Sequence, residues 1–230
     1  MMVQQTPVEA NDKIPAARRV WLVMEMLLLY VGAPILVYGL VQDYRVPLFK
    51  ILPVVFAVFV VLLTLDRSFS WREALSRGVS LRAIGSILLI FSLAAPVLAL
   101  FAWYDNPSGF LGFPLYAQGT WVMVMLLYPL LSVTAQEIMF RLFFHHRYRA
   151  LFGADSRGVI VLNAVLFAFA HIAFQNVTTL VISFFGSLLF AWRYENTRSY
   201  WTVVLEHSLY GNLIFTLGLG RYFYTGVSNF

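Results

Sequence analysis

The sequence predicts an all-α, polytopic membrane bundle of about seven spanning helices, and three observations carry that expectation. Hydrophobic residues make up 60% of the chain and charged residues 12%, where a soluble domain carries roughly 25% charged residues. Several windows reach the roughly 20 apolar residues needed to cross a hydrocarbon core, with no charge or only one in each. The basic residues then cluster in alternate loops, which is the pattern that orients a multi-spanning chain.

In chain order the spans cover about residues 20–41, 46–65, 83–103, 119–144, 159–176, 178–191 and 201–219. The sixth is barely long enough to cross. Lys13, Arg18 and Arg19 precede the first span. A secretory leader begins in the same way, but this apolar run is too long and no small-x-small cleavage site follows, so the segment is expected to stay in the mature chain. Residues 1–17, polar and containing Pro7 and Pro15, read as a disordered tail.

Arg67, Arg72, Arg77 and Arg82 follow the second span, Arg147, Arg149 and Arg157 the fourth, and Arg193 and Arg198 the sixth. The opposite loops hold Arg45 with Lys50, then Asp105, then no charge, and Arg221 lies in the final tail. The N-terminus is therefore expected in the cytoplasm and the C-terminus outside, in the cell (inner) membrane. A net charge of +5 distributed in this way faces lipid headgroups and gives no nucleic-acid surface.

Between the second and third spans, residues 66–82 mix Arg67, Arg72, Glu73 and Arg77 with Phe69, Trp71 and Leu75. They read as a short helix in the headgroup plane or as a plain basic loop. The Gly- and Pro-rich stretch 104–118, with Tyr104, Phe110, Phe113 and Tyr116, reads as a structured outer cap or a passive connector. Gly153 followed by Asp155 and Ser156 marks a helix stop and a new N-cap. The expected division is a tail at 1–17, N-terminal membrane helices at 18–118, a helical core at 119–220 and a tail at 221–230. There is no internal repeat or low-complexity tract. With no cysteine, disulfides, thiolate nucleophiles and Cys-based metal sites are excluded.

An ionisable side chain in hydrocarbon costs at least about 2.5 kcal/mol, so each needs a partner or a purpose. In the fourth span, Gln136, Glu137 and Arg141 stand in AQEIMFR, and the four-residue spacing stacks Glu137 on Arg141 as a buried pair. In the fifth, Asn163, His171 and Gln175 are spaced to share one stripe of a helix, where a histidine serves as interhelical glue or as a catalyst. In the seventh, Glu206 and His207 precede Tyr210 and Asn212, a packing polarity or a proton path. Counting from the basic ends, Glu137 and His207 fall roughly 10–15 Å deep and His171 roughly 20 Å, so the three can converge. One carboxylate and two imidazoles either hold a metal with an open water position or activate water directly with Glu as base. The H-E-x-x-H of zinc proteases, a Gly-flanked serine with a histidine, and paired membrane aspartates are all absent.

At these residues the chain resembles the CPBP family, the CAAX-protease and bacteriocin-processing intramembrane endopeptidases. Their pattern is E-E-x-x-x-R, F-x-x-x-H and H-x-x-x-N on successive helices; here it reads QEIMFR, FAFAH and HSLYGN. The resemblance covers roughly residues 121–215. It implies a helical bundle with a cavity open to the cytoplasm, hydrolysing peptide bonds of membrane-associated or prenylated peptides. Carried over, Glu137 and His171 activate water and His207 with Asn212 steadies the oxyanion; Arg141 is expected with them in the catalytic set, and Gln136, Tyr210 and Asn163 are expected to support the substrate or the oxyanion. The resemblance also favours a metal-free mechanism; a zinc ion would use Glu137, His171 and His207. Two departures stand out. Gln136 occupies the place of the first glutamate, and Asn212 lies five residues after His207, with Gly211 at the fourth.

Two other functions fit the same residues. One is a catalytically inactive relative that binds membrane peptides or serves as an immunity or scaffold protein. The other is a proton-coupled transporter using Glu25, Glu137, His171 and Glu206, against which the lack of inverted repeats argues. Neither the oligomeric state nor the substrate is legible.

Overall fold

Residues 14–223 are described by a computed structural model, and among them the chain forms helices and turns with no strand. The ends of both expected tails, residues 1–13 and 224–230, lie outside the described residues.

Helix α1, Ala16–Gln42, is a continuous crossing of 27 residues with one π turn at Leu28–Gly32. Leu22, Met26 and Tyr30 recur every fourth residue and turn to the core, while Trp21, Met24 and Leu28 on the other face are exposed. Pro47 starts α2, Leu48–Leu65, where its fixed φ suits a helix entrance. The segment expected in the headgroup plane contains a helix, α3, Trp71–Ser76, capped by Ser70, whose hydroxyl accepts from the Glu73 N–H at 3.3 Å. Helix α4, Leu81–Asp105, is capped in the same way by Ser80. The Gly- and Pro-rich stretch after α4 contains a short helix, α5, Gly112–Tyr116.

The longest element is α6, Gln118–Phe152, with 35 residues. It departs from α geometry in two π segments, Tyr128–Val133 and Ile138–Phe143. Its end and the next start lie where Gly153 and Asp155 predict them. Gly153 takes φ 54°, and the Asp155 carboxylate accepts from the Arg157 and Gly158 N–H groups at 3.0 Å. Helix α7, Ser156–Phe169, is followed by α8, Val177–Thr197, and α9, Tyr200–Thr216.

Six stretches meet the length and apolarity of a membrane span. The 17-residue α9, about 25 Å long, accounts for the seventh expected helix. Two details differ from expectation. The fifth span does not continue as a helix to 176: it unwinds after Phe169 into a single turn at Ile172–Phe174, and Gln175 adopts the left-handed conformation. The cause is local, since Asn176 caps the next helix by accepting from the Thr179 N–H at 2.7 Å. The stripe of Asn163, His171 and Gln175 is therefore broken, and Gln175 bonds the Tyr38 hydroxyl at 3.0 Å. The sixth span runs six residues beyond 191, to Thr197. Arg193 is thus inside a helix and buried, because Glu206 on α9 meets it with both oxygens at 2.8 Å.

The core lies where α1, α6, α7, α8 and α9 meet and is mainly aromatic: Tyr30, Phe59, Phe140, Phe143, Phe144, Phe167 and Phe190. Edge-to-face pairs such as Tyr30 with Phe140 at 5.1 Å and Phe59 with Phe143 at 4.9 Å interlock it. This matters because, in lipid, helices are held by packing and polar contacts rather than by exclusion from water. Leu88, Leu93, Val97 and Leu100 on α4 are more than half exposed, a surface suited to acyl chains and not to water. The chain is a multi-pass membrane protein.

Candidate active site

The fourth and seventh expected spans bring their polar residues into direct contact. On α6, Glu137 and Arg141 are both 0% exposed and lie one turn apart, with Nε and Oε2 at 3.1 Å. Those two atoms are off the hydrogen-bonding line, so the contact is electrostatic and not an aligned bond. The guanidinium is held further by Asn163 Oδ1 on α7 and by Ser187 Oγ on α8 at 3.2 Å. Asn163 in turn donates to the Phe140 carbonyl at 2.7 Å. The charge is thus met by a carboxylate, an amide and a hydroxyl from three helices, and it sits 5.5 Å from the Phe167 ring centroid.

The other carboxylate oxygen of Glu137 takes His207. Nδ1 of His207 on α9 lies 2.7 Å from Glu137 Oε1, and the imidazole stacks on Phe190, centroids 4.5 Å apart at 22°. A carboxylate only accepts, so Nδ1 carries the proton and donates, and Nε2 is directed to the remaining partner. That partner is the Tyr128 hydroxyl at 3.2 Å.

His171 follows the end of α7. Its Nδ1 lies 2.7 Å from the Phe167 carbonyl, which again only accepts, so Nδ1–H donates and Nε2 is left as a base. Both imidazoles pack on the ring of Phe167, at 4.8 Å for His171 and 5.9 Å for His207.

The two histidines open on one cavity of about 1610 Å³ whose wall is overwhelmingly apolar, with Phe167, Phe190 and Leu189 among its lining. Gln136, Tyr128, Ser132, Ser183 and Tyr210 add the polar groups. Gln136 lies on this wall and donates to Ser132 Oγ at 2.8 Å. Glu137, its neighbour, sits behind the wall, in contact with His207 and Arg141. Successive helical residues point about 100° apart, and here that angle puts the glutamine toward the cavity and the carboxylate toward the core. Tyr210 borders the same space with a buried hydroxyl that has no hydrogen-bond partner among the described residues. Asn212 is directed elsewhere, donating to the Met125 carbonyl at 3.2 Å.

Among the described residues no three His, Asp or Glu side chains are grouped as metal ligands. Glu206, one of the residues read as a relay, is 0% exposed and bound to Arg193. Glu25 does not line the cavity and is paired with Arg147 at 2.7 Å.

Sequence reasoning did not single out Tyr128, which stands nine residues ahead of Glu137 and outside every motif. Its one local signal is the following Pro129, whose missing N–H favours an altered turn; the structure has a π segment there, a feature that recurs at functional sites.

Residues 118–213 match the family model described as type II CAAX prenyl endopeptidase Rce1-like. That stretch begins at the first residue of α6 and ends within α9, and it contains Tyr128, Gln136, Glu137, Arg141, Asn163, His171, His207 and Tyr210. The match supports a relationship to the CPBP and CAAX-protease family. No curated protein and no solved structure matches the chain.

Proposed function

We propose that the chain is an intramembrane endopeptidase that hydrolyses a peptide bond of a membrane-associated substrate held in the apolar cavity. The observation that carries this reading is the pair of imidazoles bordering one cavity, each with Nδ1 fixed by an acceptor, His171 keeping Nε2 as a base and His207 turning Nε2 to the Tyr128 hydroxyl. His171 Nε2 takes a proton from the attacking water as its oxygen bonds to the carbonyl carbon, and returns that proton to the departing amine as the C–N bond breaks. His207 faces the developing oxyanion, and Glu137, fully buried behind it, holds the ring through Nδ1. Glu137 is then a positioning residue. Gln136 accepts from the water and orients it without taking its proton, as glutamine does in water-positioning sites.

The basic loops support a cytoplasmic N-terminus in the cell (inner) membrane. Because the chain has no cysteine, single introduced cysteines at positions 77 and 107 test this by labelling from the two sides. No metal enters the reading; activity abolished by a chelator and restored by zinc would replace it with a metal mechanism.

The test is cleavage of membrane-anchored peptides by purified protein in liposomes. The wild type is expected to cut, and His171→Ala and His207→Ala each to lose at least about a hundredfold. A silent wild type that gains cleavage with Gln136→Glu overturns the reading in favour of a peptide-binding relative.

A further inference from the structure

Helix α9 places His207 and Gly211 one turn apart, so both lie on the same side of the helix. A side chain at 211 would therefore enter the cavity beside the imidazole. Both residues border that cavity. The space over Gly211 is nevertheless full. A Cβ built there would run into Cε1, Cζ and the hydroxyl of Tyr128, which reaches across from α6. The phenol is wedged between Phe215, ring centroids 5.1 Å apart, and His207, at 6.3 Å, and its oxygen stops 3.2 Å from His207 Nε2. The absence of a side chain on α9 and the presence of a phenol on α6 are two halves of one arrangement.

Tyr128 also starts the first π segment of α6. A π turn leaves a main-chain group out of the regular ladder and shifts the phase of the residues beyond it. Here it lies one helical turn before Ser132, the partner of Gln136, so the same distortion carries the phenol and the hydroxyl that holds Gln136.

We infer that Tyr128 is the hydroxyl donor of this site: it fixes His207 through Nε2 at rest, and during turnover its O–H points to the substrate oxyanion beside that ring. The inference rests on the hydrolytic reading above. The exchange is balanced. His207 takes up a proton at Nε2 from solvent before the attack and keeps it through turnover; that nitrogen then no longer accepts from the phenol, and both groups donate to one oxygen while the oxyanion lasts. Gly211 is the counterpart that gives the phenol room, and no amide from position 212 is needed, since Asn212 is already committed to Met125.

Two measurements test it, one of them independent of turnover. The chain has four histidines, so a 15N-histidine spectrum in micelles is simple. Tyr128→Phe keeps the ring and removes only the oxygen. It is expected to move the His207 Nε2 resonance and leave that of His171 in place. An unmoved His207 signal overturns the inference whether or not cleavage is seen. In the cleavage assay, Tyr128→Phe is expected to lower kcat about 10²-fold with KM nearly unchanged, the loss typical of one oxyanion donor. Gly211→Ala, which displaces the phenol without removing it, is expected to lower kcat in the same direction and shift the same resonance. A Tyr128→Phe protein cutting at the wild-type rate, beside a dead His171→Ala protein, overturns the role of Tyr128 and leaves the hydrolytic reading standing.

Discussion

The buried contact of Glu137 with Arg141 gives the most quantitative prediction. Both groups are 0% exposed, so removing one strands the other in a medium where an unpaired charge is costly. Breaking such a pair costs about 3–5 kcal/mol. The lower end applies to Glu137→Leu, because the guanidinium keeps Asn163 and Ser187 and its contact with the carboxylate is not an aligned bond. Arg141→Met should cost about as much, since Glu137 keeps only His207. If the two sites were independent, the double variant would lose about 6 kcal/mol. With both charges gone no stranded ion is left, so its loss should be about 3 kcal/mol or less, a coupling of about 3 kcal/mol. Equilibrium unfolding in mixed detergent micelles, followed by tryptophan fluorescence, measures all four corners of the cycle. Costs that add to within about 0.5 kcal/mol would show that the two charges do not sustain each other, and the account of how α6 tolerates them in the membrane would fail.

The second ion pair behaves alike: Glu206→Leu strands Arg193, which would retain only the Ser86 hydroxyl at 3.0 Å, and should cost about 3–5 kcal/mol in the same assay, whereas Arg193→Met with Glu206→Leu should cost far less than the sum. Just past the end of α2, the Ser68 hydroxyl and then the Ser68 N–H, with help from His146, hold the Asp66 carboxyl down at about 2 from an ordinary 3.8. A depressed acid stabilises the fold only while ionised, so this contribution is complete above about pH 4 and is lost as pH falls toward 2. Melting curves of wild type and Asp66→Asn should therefore converge across that window, and curves that stay parallel would refute the link.

Much of the architecture was readable from the residues because each span is a long local pattern. The Asp155 cap, the short helix between the second and third spans and the stacking of Glu137 on Arg141 need no information beyond neighbours in sequence. What escaped was set by distant partners. Arg193 reads as a loop charge until Glu206, on the following helix, is seen beside it. The end of α7 before His171 depends on the turn at Gln175 and the cap at Asn176, where apolarity alone continues the helix. The choice between Gln136 and Glu137 for the cavity is a rotation that composition cannot encode. Tyr128 meets His207 across 79 positions, and no spacing rule reaches so far.

The two π segments of α6 bracket the quartet Thr134–Glu137, and this has an evolutionary corollary. A wide turn is the footprint of one additional residue within an otherwise regular spiral. Excising a single residue between 128 and 133, with the surrounding helices holding the rest of α6, would close the wide turn and leave Gln136 and Glu137 where they are; in a strictly α spiral the same loss would wind everything downstream by about 100°. The wide turn is thus the one stretch where this helix can gain or lose a residue without re-aiming its polar side chains.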